Sequence, residues 1–317
     1  MGARRLPQRG RADYAAAIPP PPTLRVYLHG QMLRTARAGT FPAMAVLARA
    51  IQAQGWRVLF ERASPHAQDN PPPPGDYALL HMKQPRHPRT LTLRRAYHYP
   101  FWRIEPVAER WRFAVAQARF DPDAVDAEEA AAFVRRLRAR VLPGPEPRRG
   151  DHVLVPLQGH LRRTRSFQTM SPIEMLEAVC RTGRPVVATL HPSESYDAAD
   201  HAVLDRLAAR HPKLVLGGDT MALLRDCAFV ATQNSAVAFD GMILGKPAVL
   251  FAQIDFHHVA LNVADLGAEA ALAQAAKVSP PLDRYVHWFL KSQAIDAQAP
   301  DAGARMLAAI RRGGWPL

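Results

Sequence analysis

The sequence predicts an α/β protein in which two Rossmann-like domains, each built on a parallel sheet, face one another across a cleft. Three observations carry that expectation. Apolar runs of strand length alternate with helix-length segments through both halves of the chain, the pattern of right-handed βαβ crossovers. The alternation breaks at PGPEPRRG (143–150), a turn-rich stretch that reads as a linker. The 317 residues are enough for two ordinary domains.

In the first half TLRVYLHG (23–30) reads as a strand, FPAMAVLARAIQAQG (41–55) as an amphipathic helix and WRVLFE (56–61) as a second strand. DNPPPPG (69–75) is a loop, and DYALLHM (76–82) a third strand. The stretch 83–106, rich in His, Arg and aromatics, matches neither period. DAVDAEEAAAFVRRLRARV (123–141) is helical, with acids early and arginines late, as the helix dipole favours. Residues 23–142 therefore form the first domain and 151–317 the second, whose last helices can pack back on the first.

The second half alternates more cleanly. HVLVPLQ (152–158), PVVATLH (185–191), KLVLG (213–217), FVATQ (229–233) and PAVLF (247–251) are strand-like. Helices fall between them: 171–183 (with Ser171 and Glu174 at capping-box spacing), 197–210, 219–226 and the stretch before Gly245.

Composition limits the function classes. Hydrophobic residues make up 48% and charged residues 22%, a globular balance. No apolar run reaches the roughly 20 residues that span a bilayer. Residues 1–22 read as a flexible, basic, proline-rich tail without a signal-peptide core. Cys180 and Cys227 are the only cysteines, so disulfides are not expected and a cytoplasmic location follows as the default. The net charge of +13, mostly arginine, should attract phosphates, anionic glycans or an anionic membrane face. Nucleic acid is not an expected partner, because charge alone would carry that reading. Neither the dinucleotide-binding glycine fingerprint nor a P-loop is present.

Ligands of open parallel sheets bind beyond the carboxyl ends of the strands. Three such ends are polar: Gln158-Gly159-His160, His191-Pro192-Ser193-Glu194-Ser195 and Gln233-Asn234-Ser235. Asn and Ser at a strand-to-helix corner suit a helix cap, and the same corner suits a phosphate. Pro192 fixes the turn behind His191, and Ser193 or Ser195 can cap the helix that follows. Gln158 ends an apolar strand where packing needs no Gln. Asp255-Phe256-His257-His258 follows the last strand of the run. Adjacent histidines diverge on most backbones, so no metal site is expected, while His257 and His258 remain candidates to contact a sugar. Asp240 reads as an ordinary exposed helix position. His81, His87 and His98 with Arg86, Arg89, Arg94 and Arg95 form either an acceptor-facing basic wall or, more simply, a solvated charged face.

Four of these stretches, VLVPLQ (153–158), SPIEMLEAV (171–179), TLHPSE (189–194) and TQNSAVAFDGMILGKPAVLF (232–251), occur in an order that resembles bacterial capsule polysaccharide biosynthesis proteins, including Kdo transferases. The last two also resemble a wider set of glycosyltransferases of the two-domain GT-B architecture that use cytidine-linked donors. The resemblance covers roughly residues 151–258. It implies that His191 and Pro192 contact the donor phosphate and nucleotide, and that Asn234 and Ser235 hold the phosphate from the opposite helix start. Gln158, Ser193, Glu194 and Gln233 would complete the binding rim.

The activity so implied is metal-independent transfer of Kdo or a related sugar from a CMP-activated donor to a lipid-linked or glycan acceptor. The nucleotide sugar is a substrate, and no cofactor is expected. The location implied is cytoplasmic, peripheral to the inner membrane. One departure stands out: the family strand ending in Gln is often followed by acidic residues, whereas here the chain reads Gln158-Gly159-His160-Leu161-Arg162-Arg163. A carboxylate nucleophile would have to come from elsewhere. His160 is a candidate base. The alternative is a non-catalytic glycan- or nucleotide-binding relative acting in capsule assembly or export.

Overall fold

The computed structural model describes residues 20–317, so most of the basic tail lies outside it. In the first domain β1 (Thr23–Leu28), β2 (Arg57–Arg62), β3 (Tyr77–His81), β4 (Thr90–Arg95) and β5 (Phe101–Glu105) form one sheet. The second sheet contains β6 (Val153–Pro156), β7 (Val186–Thr189), β8 (Leu214–Leu216), β9 (Phe229–Thr232), β10 (Ala248–Leu250) and β11 (Leu261–Asn262). A last short strand, β12 (Ile295–Asp296), joins the first sheet, so each sheet has six strands.

The second sheet is parallel throughout, in the order β11-β10-β9-β6-β7-β8. Strands β6, β9 and β10 are buried along their whole length, as expected of a sheet covered on both faces. The winding runs outward from β6 to β8, returns to β9 and continues to β11. The direction of winding therefore reverses between β6 and β9, where such sheets bind ligands.

The first sheet departs from the expected all-parallel arrangement. Its order is β12-β5-β4-β3-β1-β2, with β2, β1, β3 and β4 parallel and β5 and β12 antiparallel to their neighbours. The cause lies in the stretch that matched neither period. Only five residues separate β4 from β5, too few for a parallel crossover, and Ala96 N–H bonds Phe101 O at 2.8 Å to close a hairpin.

Helix Pro42–Gln52 illustrates how local sequence sets this framework. Pro42 occupies its first turn, where no amide is needed. Met44, Leu47 and Ile51 fall on one face and are wholly buried against the first sheet. The chain's end completes the same core. Ile295 of β12 pairs with Trp102, and helix Ala302–Arg312 lays Met306, Leu307 and Ile310 into the first-domain cluster. Gly303 allows that helix to approach Ala50, since a Cβ there would stand 3.3 Å from the Ala50 Cβ.

The stretch between the domains is clasped rather than loose. The buried Arg225 guanidinium donates to the carbonyls of Leu142, Pro143 and Pro145 at 2.6–3.0 Å. A third hydrophobic cluster spans the seam and joins Phe101 and Phe113 of the first domain to Phe239, Phe256 and Phe289. No helix among the described residues is long and apolar enough to cross a membrane.

Candidate functional site

Adjacent strands of the second sheet bring the three polar ends to one rim. In order across the sheet these are His191 after β7, Gln158-Gly159-His160 after β6, and Gln233-Asn234-Ser235 after β9. The side-chain amide oxygens of Gln158 and Gln233 are buried without a hydrogen-bond partner. Two unsatisfied acceptors on either side of the winding reversal are costly unless a ligand supplies donors.

The Gln233–Ser235 corner is firmly built. Gln233 Nε2 donates to Met170 O at 3.0 Å and Asn234 Nδ2 to Gln253 O at 3.3 Å. Ser235 caps helix Ala236–Ile243 by accepting from Val237 N–H at 3.3 Å. Asn234 and Ser235 are each only 6% exposed, whereas Ala236, the first helical residue, is exposed. What the corner presents to a ligand is thus the amide end of the helix more than the Asn and Ser side chains.

His191 is open to solvent, and its tautomer is set locally. Ser193 N–H donates to His191 Nδ1 at 3.2 Å, which leaves the ring proton on Nε2, and His191 N–H donates to the Tyr196 hydroxyl at 2.9 Å. Ser193 and Ser195 do not cap the next helix, contrary to expectation. That helix begins at Ala198, and Asp197 and Asp200 form its capping box, with Arg162 bound to both carboxylates at 2.6 and 2.7 Å. A carboxylate with a second carboxylate at the third helical position satisfies two amides at once, and this outcompetes an isolated serine.

A carboxylate from the neighbouring strand end reaches the stretch after Gln158. Glu194 lies directly over Gly159, where an added Cβ would stand 2.2 Å from its Oε2. A larger residue there would displace the carboxylate from this position. The next residue, His160, has φ of 60°, a left-handed conformation that non-glycine residues rarely adopt. His160, Arg163, Ser193, Glu194 and Tyr196 line a cavity of about 710 Å³ at this point. Arg162, Asp197 and Asp200 line the same cavity as one ion-paired cluster, and Glu194, His160 and Arg163 line it outside that cluster, residue types suited to proton or nucleophile chemistry next to an anion.

A second cavity, of about 530 Å³, opens between the domains. Trp111 of the first domain stacks on Phe167 of the second, with centroids 5.0 Å apart. Gln168, 9% exposed, lines this cavity with a buried Nε2 that has no partner.

Several candidates lie elsewhere. The rings of His257 and His258 stack at 4.2 Å rather than diverging. His257 Nε2 bonds Ala116 O at 3.1 Å and His258 Nε2 bonds Ala118 O at 3.0 Å, while His258 Nδ1 meets the Tyr285 hydroxyl at 3.0 Å. Both histidines thus tie the second domain to the first, and His258 has no nitrogen left for a sugar. Asp240 is not an ordinary exposed position, because it accepts from His98 across the seam at 2.7 Å. The basic wall is also divided. Arg86, His87 and Arg89 bind Asp69 and the loop carbonyls before β3, whereas His81 and Arg94 lie at the cleft end of the sheet.

The same seam holds a network that sequence reasoning missed. Asp255, 1% exposed, accepts a short hydrogen bond from the Tyr97 hydroxyl, and Arg110 donates to the same hydroxyl at 2.9 Å. Burial, only partly offset by Arg110, holds the Tyr97 hydroxyl well above its ordinary range, so it remains a donor. Tyr97 sits in the unassigned 83–106 stretch with φ of 65°. No local signal announces such a residue.

Two half-buried histidines make the fold sensitive to acid. Burial and cationic neighbours lower His81 to about 4, and burial with His257 beside it lowers His258 to about 4, against an ordinary 6.5. Between those values the unfolded chain binds protons that the folded chain refuses, so stability falls as pH drops from about 6.5 towards 4. Thermal unfolding should show a clearly lower midpoint at pH 5 than at pH 7, with a shallower difference in His258→Gln. Equal slopes in the variant and the parent would place the acid sensitivity elsewhere.

The chain matches no protein-family model and no curated protein. Solved structures similar to it include the beta Kdo 2,7 transferase of Thermosulfurimonas dismutans KpsC, at 12% identity and a TM-score of 0.47, covering 81% of this chain and 91% of that one. The beta Kdo 2,4 transferase of the same KpsC is similar at 13% identity and 0.40, with coverages of 83% and 89%. S. aureus MnaA, in a co-structure with UDP, is similar at 11% and 0.38, with coverages of 92% and 96%. The architecture is two mostly parallel α/β sheets packed across a shared seam. At these scores the likenesses assign neither a donor nor a reaction to this chain, and its own topology and rim carry the functional reading.

Proposed function

We propose that this protein is a glycosyltransferase that moves a sugar from a nucleotide-activated donor to a glycan or lipid-linked acceptor in capsule or surface polysaccharide synthesis. The donor is CMP-linked, with Kdo or a related sugar as the transferred group. The observation that carries this reading is the shared rim at the winding reversal, with His191, Glu194 over Gly159, and the helix start at Ser235 on adjacent strand ends. No metal or cofactor has a part in the proposed chemistry.

In the proposed reaction the donor phosphate sits between the helix start after Ser235 and the Nε2–H of His191. Charge that develops on the leaving phosphate is then met by fixed donors and the helix dipole, a preorganised arrangement. The cleft holds donor and acceptor together and excludes water, which lowers the entropic part of the barrier. Glu194 supplies the carboxylate next to the reacting centre, and His160 stands beside it as a second proton acceptor. The excess of positive charge would draw the protein to an anionic membrane surface.

Calorimetric titration with CMP, UDP, GDP and ADP tests the donor assignment. Selective CMP binding is expected, weakened roughly tenfold or more by His191→Ala and more modestly by Ser235→Ala, whose side chain is mainly a cap. No nucleotide preference, with both variants indistinguishable from the parent, would reduce the rim to helix caps and remove the transferase reading.

A further inference from the structure

The first sheet has a winding reversal of its own. Its order β2-β1-β3-β4 places the reversal between β1 and β3, and the crevice outside their carboxyl ends is a second natural ligand position. A cavity of about 200 Å³ opens there, lined by His29 after β1, Ser64 after β2, and His81 and Lys83 at the end of β3, with Tyr27 and Gln68. No carboxylate lines it. The nearest acid, Glu61, acts on Tyr27 and is held by Arg25 at 2.7 Å.

The groups whose charges act on His81 have one sign. His29, Arg94 and Arg95 all act on the half-buried His81 ring and oppose its protonation. Arg94 is half-buried and, among the described residues, makes neither a hydrogen bond nor an ion pair, although it lies near enough to Arg110 and Asp255 for their charges to act on it. Within the lining itself Lys83 and two imidazoles stand with no carboxylate, an arrangement that a bound anion would relieve. The volume suits one anionic group and a few atoms of its carrier rather than a nucleotide.

We propose that this cavity is an anion subsite that takes a carboxylate or phosphate group carried by the acceptor. Assigning the anion to the acceptor rests on the transferase reading, whereas the anion site itself does not. The acceptor would then be anchored by its charge on the first domain while its hydroxyl reaches the rim of the second. A carboxylate would mark an acidic sugar and a phosphate a lipid-phosphate carrier.

The test follows the imidazole resonances of His29 and His81 in the full chain, assigned with His29→Gln and His81→Gln. Inorganic phosphate and glucuronate are titrated in separately near pH 6, with sodium chloride at matched ionic strength as the control. Either anion should perturb the resonances of both rings, and over a pH series it should raise the His81 midpoint by about one unit or more from about 4. Lys83→Ala should weaken that response by about tenfold, and His191→Ala should leave it intact. The anion that binds more tightly identifies the carrier. Rings that ignore both anions, or respond equally to chloride, or respond unchanged in Lys83→Ala, would overturn the subsite. CMP binding with unresponsive rings would remove the subsite and leave the transferase reading standing. Responsive rings without nucleotide binding would remove the acceptor assignment and leave the anion site.

Discussion

Replacing Glu194 by glutamine is expected to lower donor turnover by about a thousandfold while leaving CMP affinity within roughly twofold of the parent. The substitution keeps the size and hydrogen-bonding reach of the side chain and removes only its charge and basicity. General base and nucleophile losses of this kind typically cost about 10²–10⁴ in rate. The position argues for the effect: Glu194 Oε2 occupies the space above Gly159 at the end of β6, where the chain itself carries no acid. Gly159→Ala offers a second route to the same outcome, because its Cβ would collide with Oε2 at 2.2 Å and push the carboxylate aside. Glu194→Asp should retain part of the activity. Single-turnover transfer or donor hydrolysis reads the chemical step, and calorimetry reads binding. Full turnover in Glu194→Gln would take this carboxylate out of the chemistry, and loss of CMP binding would make it a binding residue instead.

The position of Glu194 also shows where sequence reasoning stops. The residue was legible as part of a polar strand end, but its contact with Gly159 depends on the pairing of β6 with β7, which brings together the loops that follow Pro156 and Thr189. The strands themselves were legible because burial on both faces leaves near-continuous apolar runs such as HVLVPL and FVAT. Caps formed within one turn were legible too, as with Ser171 and Glu174, whose reciprocal bonds are present. Asp197 and Asp200 carried the same kind of signal, yet the serines nearer His191 drew the reading away from it. The hairpin of β4 and β5 was hidden for another reason. Arg94, Arg103 and Glu105 look like surface residues in sequence, but they face the other domain and are buried or half-buried there. Arg103, for one, is satisfied by the carbonyls of Phe289 and Gln293, far along the chain, and such partners leave no local period.

That seam is the setting of the largest expected loss of stability. Asp255→Ala should lower the urea midpoint by an amount equivalent to about 3–5 kcal/mol, the usual consequence of deleting one member of a buried charged network. Asp255 is 1% exposed, accepts from Tyr97, and is the acid whose charge acts on Arg94, Arg103 and Arg110. Without it the Tyr97 hydroxyl loses its acceptor, Arg94 and Arg110 lose the acid that acts on them, and only Glu105 is left to offset Arg103. Asp255→Asn keeps an acceptor and should cost less. Tyr97→Phe should cost about 1–2 kcal/mol, since Arg110 can still approach the carboxylate. The residue also joins the domains, because Tyr97 and Arg110 come from the first and Asp255 from the second. Tryptophan fluorescence should therefore report the loss strongly, as Trp111 and Trp288 flank the same seam. A midpoint shift equivalent to less than about 1 kcal/mol would mean that the arginines find water on relaxation, and that the seam is held by the aromatic cluster around Phe239, Phe256 and Phe289 rather than by its charges.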